Sequence, residues 1–194
     1  MNLVTADTAE QLLQALGEQL EAAGARYDLV VIGGSALLAL GYVRRPTRDV
    51  DVLALLGPDG LQAAQPLPMP LQTAAARVAR DFALPRDWLN SEPGSMLQLG
   101  LPEGFEARLE SRSYGPALTV HFASRYDQIH FKLYALADRG PGKHEADLRA
   151  LSPTHDELRS AARWTRTHDP SEGHREILSA ALAHLGLRDV DLGA

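Results

Sequence analysis

Two aspartates separated by one residue are the feature of this sequence best suited to chemistry. Asp49 and Asp51 open the run Asp-Val-Asp-Val-Leu-Ala-Leu-Leu, which alternates at first and then becomes wholly apolar, as buried strands do. Because strand side chains alternate between two faces, both carboxylates are predicted on one face, a few ångströms apart. Two like charges so close need a cation, and such hard oxygen ligands suit magnesium. Taken alone, the spacing is common, and two solvated aspartates at a strand end are its more frequent explanation.

A glycine turn lies upstream of the two aspartates. Gly33-Gly34-Ser35 follows the short apolar run Leu29-Val-Val-Ile32, which is typical of a buried strand, and precedes a short helix predicted over Ser35 to Leu40. A turn that feeds a helix N-terminus presents backbone N–H groups to an anion, so it can hold phosphate. Ser35 is also a good N-cap, and a well-made turn without a ligand is the alternative. Together, turn and acidic pair predict one cleft for a triphosphate and its metal.

These residues resemble a known family. Gly33-Gly34-Ser35 followed by Asp49-Val50-Asp51 is similar to the hallmark of the DNA polymerase β-like nucleotidyltransferase superfamily. The string Gly-Gly-Ser-Ala-Leu-Leu-Ala-Leu-Gly-Tyr-Val-Arg-Arg-Pro-Thr-Arg-Asp-Val-Asp-Val most resembles the branch that includes the AbiEii-type toxins of type IV toxin–antitoxin systems. The resemblance implies that Asp49 and Asp51 bind Mg²⁺, that the turn and Arg48 contact the nucleoside triphosphate, and that the fold is a nucleotidyltransferase core.

A second block extends the resemblance downstream. Lys132-Leu-Tyr-Ala-Leu-Ala-Asp-Arg139, followed by Lys143-His-Glu-Ala-Asp147, is similar to the Lys…Arg…Asp motif of the same branch. Lys132 and Arg139 are seven residues apart on a predicted helix, so both project from one face and could clamp triphosphate oxygens. By the resemblance Asp147 is a catalytic residue, although locally it could instead orient Lys143 or Arg149. An ordinary solvated helix face is the alternative for the two cations.

The third catalytic carboxylate that many superfamily members use has no clean counterpart. The alternating stretch Phe105 to Arg112 is predicted as the first strand of a hairpin with Ala117 to Phe122, which would place Glu106, Arg108 and Glu110 on one strand face. Either glutamate could activate the acceptor hydroxyl, with Glu110 as the catalytic candidate. Surface charges on an exposed strand are the interpretation that we favour, and they leave the completed reaction open.

The remaining pattern predicts the architecture that must position these groups. A helix from Thr8 to about Gly24, the two buried strands, a loop over Gly57 to Pro70, a helix over about 72–82 and the hairpin make an α+β core with a small mixed sheet flanked by helices. From Ser124 onward the pattern is helical, with segments at about 124–138, 144–151, 154–168 and 171–185. We therefore predict a nucleotidyltransferase core over 1–123 and a helical C-terminal region over 124–194 that packs on it, the two forming either separate parts or one continuous domain.

Composition limits the classes of function. The 194 residues include no cysteine, which excludes disulfides and thiolate zinc sites and favours a cytoplasmic protein. No stretch approaches the roughly 18 apolar residues of a membrane span. The formal charge of −6 argues against a broad nucleic-acid-coating face, although a tRNA end could dock on Arg44 to Arg48.

The function expected from these observations is Mg²⁺-dependent transfer of a nucleoside monophosphate from a nucleoside triphosphate to an acceptor hydroxyl. The acceptor class stays open among tRNA or another RNA end, a protein and a small molecule. The branch resemblance adds a toxin role and a cognate antitoxin as partner, and no membrane partner is expected. The alternative is a catalytically inactive nucleotide-binding or scaffold protein that retains the fold.

Overall fold

The computed structural model describes residues 5–188, 190 and 192. The chain divides into two compact units between Ala123 and Ser124. The first unit contains a sheet with its helices, and the second is made of helices. In the part of the chain that the structure describes, no helix is long and apolar enough to cross a membrane.

The first unit is built on a six-stranded mixed sheet. Its strands and helices are β1 (Tyr27–Ile32), β2 (Val50–Gly57), β3 (Gly60–Ala63), β4 (Leu89–Asn90), β5 (Glu110–Ser113), β6 (Leu118–Phe122), α1 (Ala6–Ala22), α2 (Gly33–Ala39), α3 (Met69–Asp81) and α4 (Ser95–Leu99). The strand order is β3-β2-β1-β6-β5, with β4 pairing to β2 off this path. β6 is parallel to β1 and β4 is parallel to β2, whereas the other pairs are antiparallel. The predicted α+β class, a mixed sheet flanked by helices, is confirmed.

Helices α1 and α3 supply the core on one face of this sheet. A stripe of leucines along α1 is buried: Leu12, Leu13, Leu16 and Leu20. The helix begins earlier than its predicted Thr8 because Thr5 is the N-cap and accepts from the Thr8 N–H at 3.3 Å. Trp88 fills the space beside α3 and donates its indole N–H to the Ala75 carbonyl at 2.9 Å. Strand residues with alternating side chains complete the cluster, among them Leu29, Val31, Val50, Val52, Val120 and Phe122.

Two predicted segments of the first unit differ from the structure. The stretch predicted as loop, 57–70, contains β3, which forms a hairpin with β2 through the pair Gly57↔Gly60. The stretch predicted as a strand from Phe105 is instead a 3₁₀ helix over Glu106–Arg108, closed by the Arg108 N–H to Phe105 carbonyl bond of 3.1 Å. Gly104 lies in the turn before that helix with φ +72°, a left-handed conformation that favours glycine.

The second unit consists of α5 (Arg125–Arg139), α6 (Lys143–Ala150), α7 (His155–His168) and α8 (Glu172–His184). These four confirm the helical segments predicted beyond Ser124. Side chains cap three of them: the hydroxyls of Ser124, Thr154 and Ser171 accept from the first turns of α5, α7 and α8. Arg125 ties α5 to the segment after α6, because its Nε–H donates to the Leu151 carbonyl at 2.8 Å.

A close approach of the backbone to Gly17 predicts a large effect of one added methyl group. A Cβ at Gly17 of α1 would lie 2.0 Å from the Tyr114 carbonyl oxygen, which belongs to the backbone. Gly17→Ala is therefore expected to lower the free energy of unfolding by about 2 kcal/mol or more, despite the better helix propensity of alanine. Urea denaturation followed by circular dichroism measures the change.

Gly173→Ala is the matched control for this substitution. Gly173 also lies in a helix, α8, but no atom is within 4 Å of its added Cβ. The control should raise the free energy of unfolding by at most about 1 kcal/mol. Equal stability of the two variants would contradict the close approach at Gly17.

Candidate active site

The glycine turn and the second aspartate are in direct contact in the first unit. Ile32, the last residue of β1, pairs with Asp51 of β2, and α2 begins at the next residue, Gly33. Gly33 has φ +77°, and a Cβ there would lie 2.5 Å from Asp51 Oδ2. Glycine is therefore required both by the backbone conformation and by the carboxylate beside it.

Ser35 does not occupy the N-cap position considered for it. Because α2 begins at Gly33, Ile32 is the N-cap and Ser35 lies inside the first turn, 3% exposed. Its hydroxyl donates to the Ile32 carbonyl at 3.4 Å, so the side chain ties the turn to its own backbone. Ser35 thus stabilises the turn in this structure.

The acidic pair is split between the strand and the segment before it. Strand β2 begins at Val50, whose N–H donates to the Trp88 carbonyl at 2.6 Å, so the prediction that Asp49 is a strand residue is wrong. Asp49 accepts from the Thr47 hydroxyl at 3.4 Å. Val50, between the two aspartates, is buried in the core, and both aspartates are partly exposed. Magnesium typically binds one or two protein carboxylates and keeps waters and substrate phosphates as its other ligands. The two carboxylates on either side of Val50 fit this requirement.

Asn90 joins the site although nothing in the sequence singled it out. It pairs with Asp51 through the parallel β4–β2 ladder, and its amide donates to Asp51 Oδ1 at 3.3 Å. The Glu92 N–H donates to the side-chain Oδ1 of Asn90 at 3.0 Å, which orients the amide. A two-residue strand carries no periodicity, so only the non-local pairing could have revealed this neighbour.

Two residues of the arginine-rich stretch from Arg44 to Arg48 also lie close to the glycine turn. A Cβ at Gly34 would lie 3.0 Å from the Thr47 hydroxyl oxygen and 3.6 Å from Arg45 Nη2. Thr47 is buried at 7% exposure, whereas Arg48, the predicted triphosphate contact, is exposed. The structure thus brings a hydroxyl and a guanidinium to the glycine turn.

Glu110 lies on the face of the sheet opposite to Asp51. It is the first residue of β5 and pairs with Phe122 of β6, and directly paired residues of antiparallel strands share a face. Phe122 belongs to the same core cluster as Val50 and Val52, between which Asp51 alternates outward. The structure therefore does not bring Glu110 to Asp51. Nor do Glu106 and Arg108 share a strand face with it, since both belong to a 3₁₀ helix.

Lys132 and Asp147 form a buried ion pair in the second unit. Nζ of Lys132 on α5 is 2.8 Å from Oδ2 of Asp147 on α6, and the two side chains are 6% and 1% exposed. Arg139, seven residues after Lys132, is exposed and lies 3.6 Å from Asp138. The two cations share a helix face, but one is inside the helical unit and the other is at its surface.

His144 marks a positive environment around this pair. Burial and the nearby charges of Lys132, Lys143 and Arg139 lower the pKa of His144 to about 4, against a smaller opposing effect of Asp147. Its Nδ1 is buried and has no hydrogen-bond partner among the described residues. The imidazole of His144 is therefore neutral at neutral pH.

The low pKa of His144 predicts an acid-side loss of stability. A histidine titrates near 6.5 in the unfolded chain but only near 4 in the folded unit. Between these values the unfolded state binds a proton that the folded state does not, so the free energy of unfolding falls as the pH drops.

His144→Gln removes this contribution. We therefore compare the free energies of unfolding of the variant and the unsubstituted protein by urea denaturation. The variant's value minus that of the unsubstituted protein should increase as the pH is lowered from about 7 to about 4.5. A difference between the two proteins that does not change with pH would contradict the assignment.

A glycine turn pressed against an acidic residue on a mixed sheet is the arrangement expected of a nucleotidyltransferase core. More particularly, the chain belongs to the family described as nucleotidyltransferase of unknown function (DUF6036), whose model matches residues 10–143. The match includes the turn, both aspartates, Lys132 and Arg139, and ends before Asp147. Comparisons with curated proteins and with solved structures found no match.

Proposed function

We propose that this chain is a metal-dependent nucleotidyltransferase that moves a nucleoside monophosphate from a nucleoside triphosphate to an acceptor hydroxyl. The observation that supports this best is the contact between the Gly33 turn and Asp51. A triphosphate held against that turn would bring its oxygens to the carboxylate and to any cation it binds. Membership of a nucleotidyltransferase family supports the same class of reaction.

Asp49 and Asp51 are the proposed magnesium ligands. When bound, magnesium supplies positive charge against the triphosphate and the departing pyrophosphate. Asn90 donates to the Asp51 carboxylate and orients it. The Gly34 N–H, Arg45 and Arg48 are proposed to bind phosphate oxygens. The acceptor hydroxyl oxygen bonds to the α-phosphorus and its proton passes to water, while the bond to the β-phosphate oxygen breaks and pyrophosphate leaves.

The motif resemblance extends the proposal to the second unit. Lys132 and Arg139 are proposed to offset charge on the pyrophosphate, with Asp147 holding the Lys132 ammonium. The positive surroundings of His144 are consistent with an anion at this position. These roles rest on the similarity of the Lys…Arg…Asp motif to that of the AbiEii-type branch.

The same resemblance motivates a biological role. We propose a toxin of a toxin–antitoxin pair whose acceptor is a tRNA end, a protein or a small molecule. A growth arrest on expression that depends on Asp51 would support the toxin role, and normal growth would count against it.

The deciding experiment incubates the purified protein with each α-labelled nucleoside triphosphate and a cell extract, with magnesium or with a chelator. The expected result is label on one class of acceptor, with release of pyrophosphate, only when magnesium is present. Triphosphate binding without label on any acceptor would replace this proposal with the inactive nucleotide-binding protein. Absence of both binding and transfer would reject the nucleotide site altogether.

A further inference from the structure

A serine, a histidine and an aspartate lie in a row across three strands of the first unit. Ser111 of β5 pairs with His121 of β6, and Ser111 Oγ is 2.7 Å from His121 Nδ1. His121 pairs in turn with Val30 of β1, and Asp28 is two residues earlier on the same face. Asp28 Oδ2 is 3.8 Å from His121 Nε2. A hydroxyl, an imidazole and a carboxylate are therefore aligned in the order that activates a nucleophile.

The imidazole of His121 lies between the Ser111 hydroxyl and the Asp28 carboxylate. His121 has a side chain only 12% exposed, and its Nε2 has no hydrogen-bond partner among the described residues. If Nε2 carries the ring proton, that proton faces the Asp28 carboxylate and Nδ1 is left to accept from Ser111. Ser111 itself is exposed on β5, the strand at one end of the sheet. The hydroxyl is thus both paired with a base and open to a large electrophile.

This row lies outside the glycine–aspartate site of the same chain. Three strand spacings separate β5 from β2, which corresponds to roughly 14 Å at about 4.8 Å each. A triphosphate bound at Asp51 could not place its α-phosphorus on the Ser111 oxygen of its own chain at that distance. The electrophile for Ser111 must therefore arrive from another molecule.

We propose that Ser111 is an acceptor for nucleotidyl transfer from a second copy of this chain, an inference that rests on the proposed function. The Ser111 oxygen forms a bond to the α-phosphorus of a nucleoside triphosphate held by the second copy, and the bond to the β-phosphate oxygen breaks. Pyrophosphate leaves, and the hydroxyl proton passes to His121 Nδ1, where Asp28 stabilises the imidazolium. The product is a phosphodiester between Ser111 and a nucleoside monophosphate.

The test uses two full-length proteins that differ in size. An Asp51→Asn protein serves as acceptor because it cannot label itself, and an unsubstituted protein with an added tag serves as donor. With magnesium and an α-labelled nucleoside triphosphate, the Asp51→Asn protein should gain label and the mass of one nucleoside monophosphate. Peptide mapping should place the modification at Ser111, and the labelling rate should rise with donor concentration.

Matched substitutions in the acceptor protein test whether labelling needs the contact of Ser111 with His121 or only an exposed serine. Ser113 lies on the same strand and is exposed, but its hydroxyl donates to the Gly115 carbonyl at 3.0 Å. Adding Ser113→Ala to the acceptor should leave labelling unchanged, whereas adding Ser111→Ala should abolish it. Adding His121→Gln should slow it at least about 100-fold, the contribution of a positioned base. Labelling that survives Ser111→Ala, or is insensitive to His121→Gln, would overturn the proposal.

The failure of this inference differs from that of the proposed function. If the donor labels acceptors in a cell extract but never the Asp51→Asn protein, the Ser111 proposal is wrong and the proposed function stands. If no acceptor is labelled and no pyrophosphate is released, the proposed function fails and the Ser111 proposal fails with it.

Discussion

Replacing Asp51 with asparagine is expected to lower nucleotidyl transfer by at least about 10³-fold, because a metal-held charge contributes several kcal/mol and each 1.36 kcal/mol is a factor of ten. The amide keeps the shape of the carboxylate but loses the charge and one metal-binding oxygen. Asp51 is also the residue against which the Gly33 turn is packed. The loss should therefore appear in kcat and in magnesium dependence together.

Folding should be unaffected by the same change. Asp51 is only partly buried, and its Oδ1 accepts a hydrogen bond from the Asn90 amide at 3.3 Å. The side-chain oxygen of an asparagine can accept the same hydrogen bond. The free energy of unfolding should stay within about 0.5 kcal/mol of the unsubstituted protein. Asp59→Asn, an exposed carboxylate in the turn after β2, is the control and should retain full transfer. Comparable turnover of the Asp51 and Asp59 variants would reject Asp51 as a metal ligand.

Lys132→Met is expected to cost about 3–5 kcal/mol of folding free energy, the usual effect of removing one partner of a buried ion pair. The Asp147 carboxylate, 1% exposed, would lose the ammonium 2.8 Å away. Part of the loss should be recovered at acidic pH, because a protonated Asp147 no longer needs a cation. Urea denaturation at neutral and acidic pH measures both effects.

Two further variants distinguish the effect of the buried ion pair from that of an exposed lysine. Lys132→Met combined with Asp147→Leu removes both charges, and it should recover most of the lost stability because an apolar pair of similar size is often as stable. Lys143→Met changes an exposed lysine of α6 and should alter the free energy of unfolding by less than about 0.5 kcal/mol. If Lys132→Met were no more destabilising than Lys143→Met, the pair would not be buried in solution. Transfer activity of the double variant then tests catalysis without the stability defect.

Local sequence patterns were sufficient for the elements with strong periodicity or clear caps. The leucine stripe of α1, the apolar runs of β1 and β2, and the serine and threonine caps of α5, α7 and α8 each predict an element that the structure contains. The contact of the glycine turn with Asp51 also follows from adjacent antiparallel strands. These features depend on residues near one another in the chain or on a single strand pairing.

What escaped prediction depends on distant pairing or on burial. Asn90 reaches Asp51 only because a two-residue strand pairs in parallel with β2. Local patterns also did not predict that Lys132, 6% exposed, is paired with Asp147, because the two residues lie on different helices. Because the alternation continues through Glu106, the sequence predicts a longer strand for Glu110. Gly104, however, lies in a turn at the start of that stretch. For Asn90 and Lys132 the decisive partner is remote in sequence.

The proximity of Gly33 and Asp51 has an evolutionary consequence. An added Cβ at position 33 would collide with the Asp51 carboxylate, so glycine would be retained there even in a relative that no longer transfers nucleotides. Invariance of this glycine among relatives is therefore weak evidence for phosphate binding. Covariation is the more informative signal: relatives with asparagine at position 33, the residue that best tolerates its positive φ, should carry a smaller side chain at position 51.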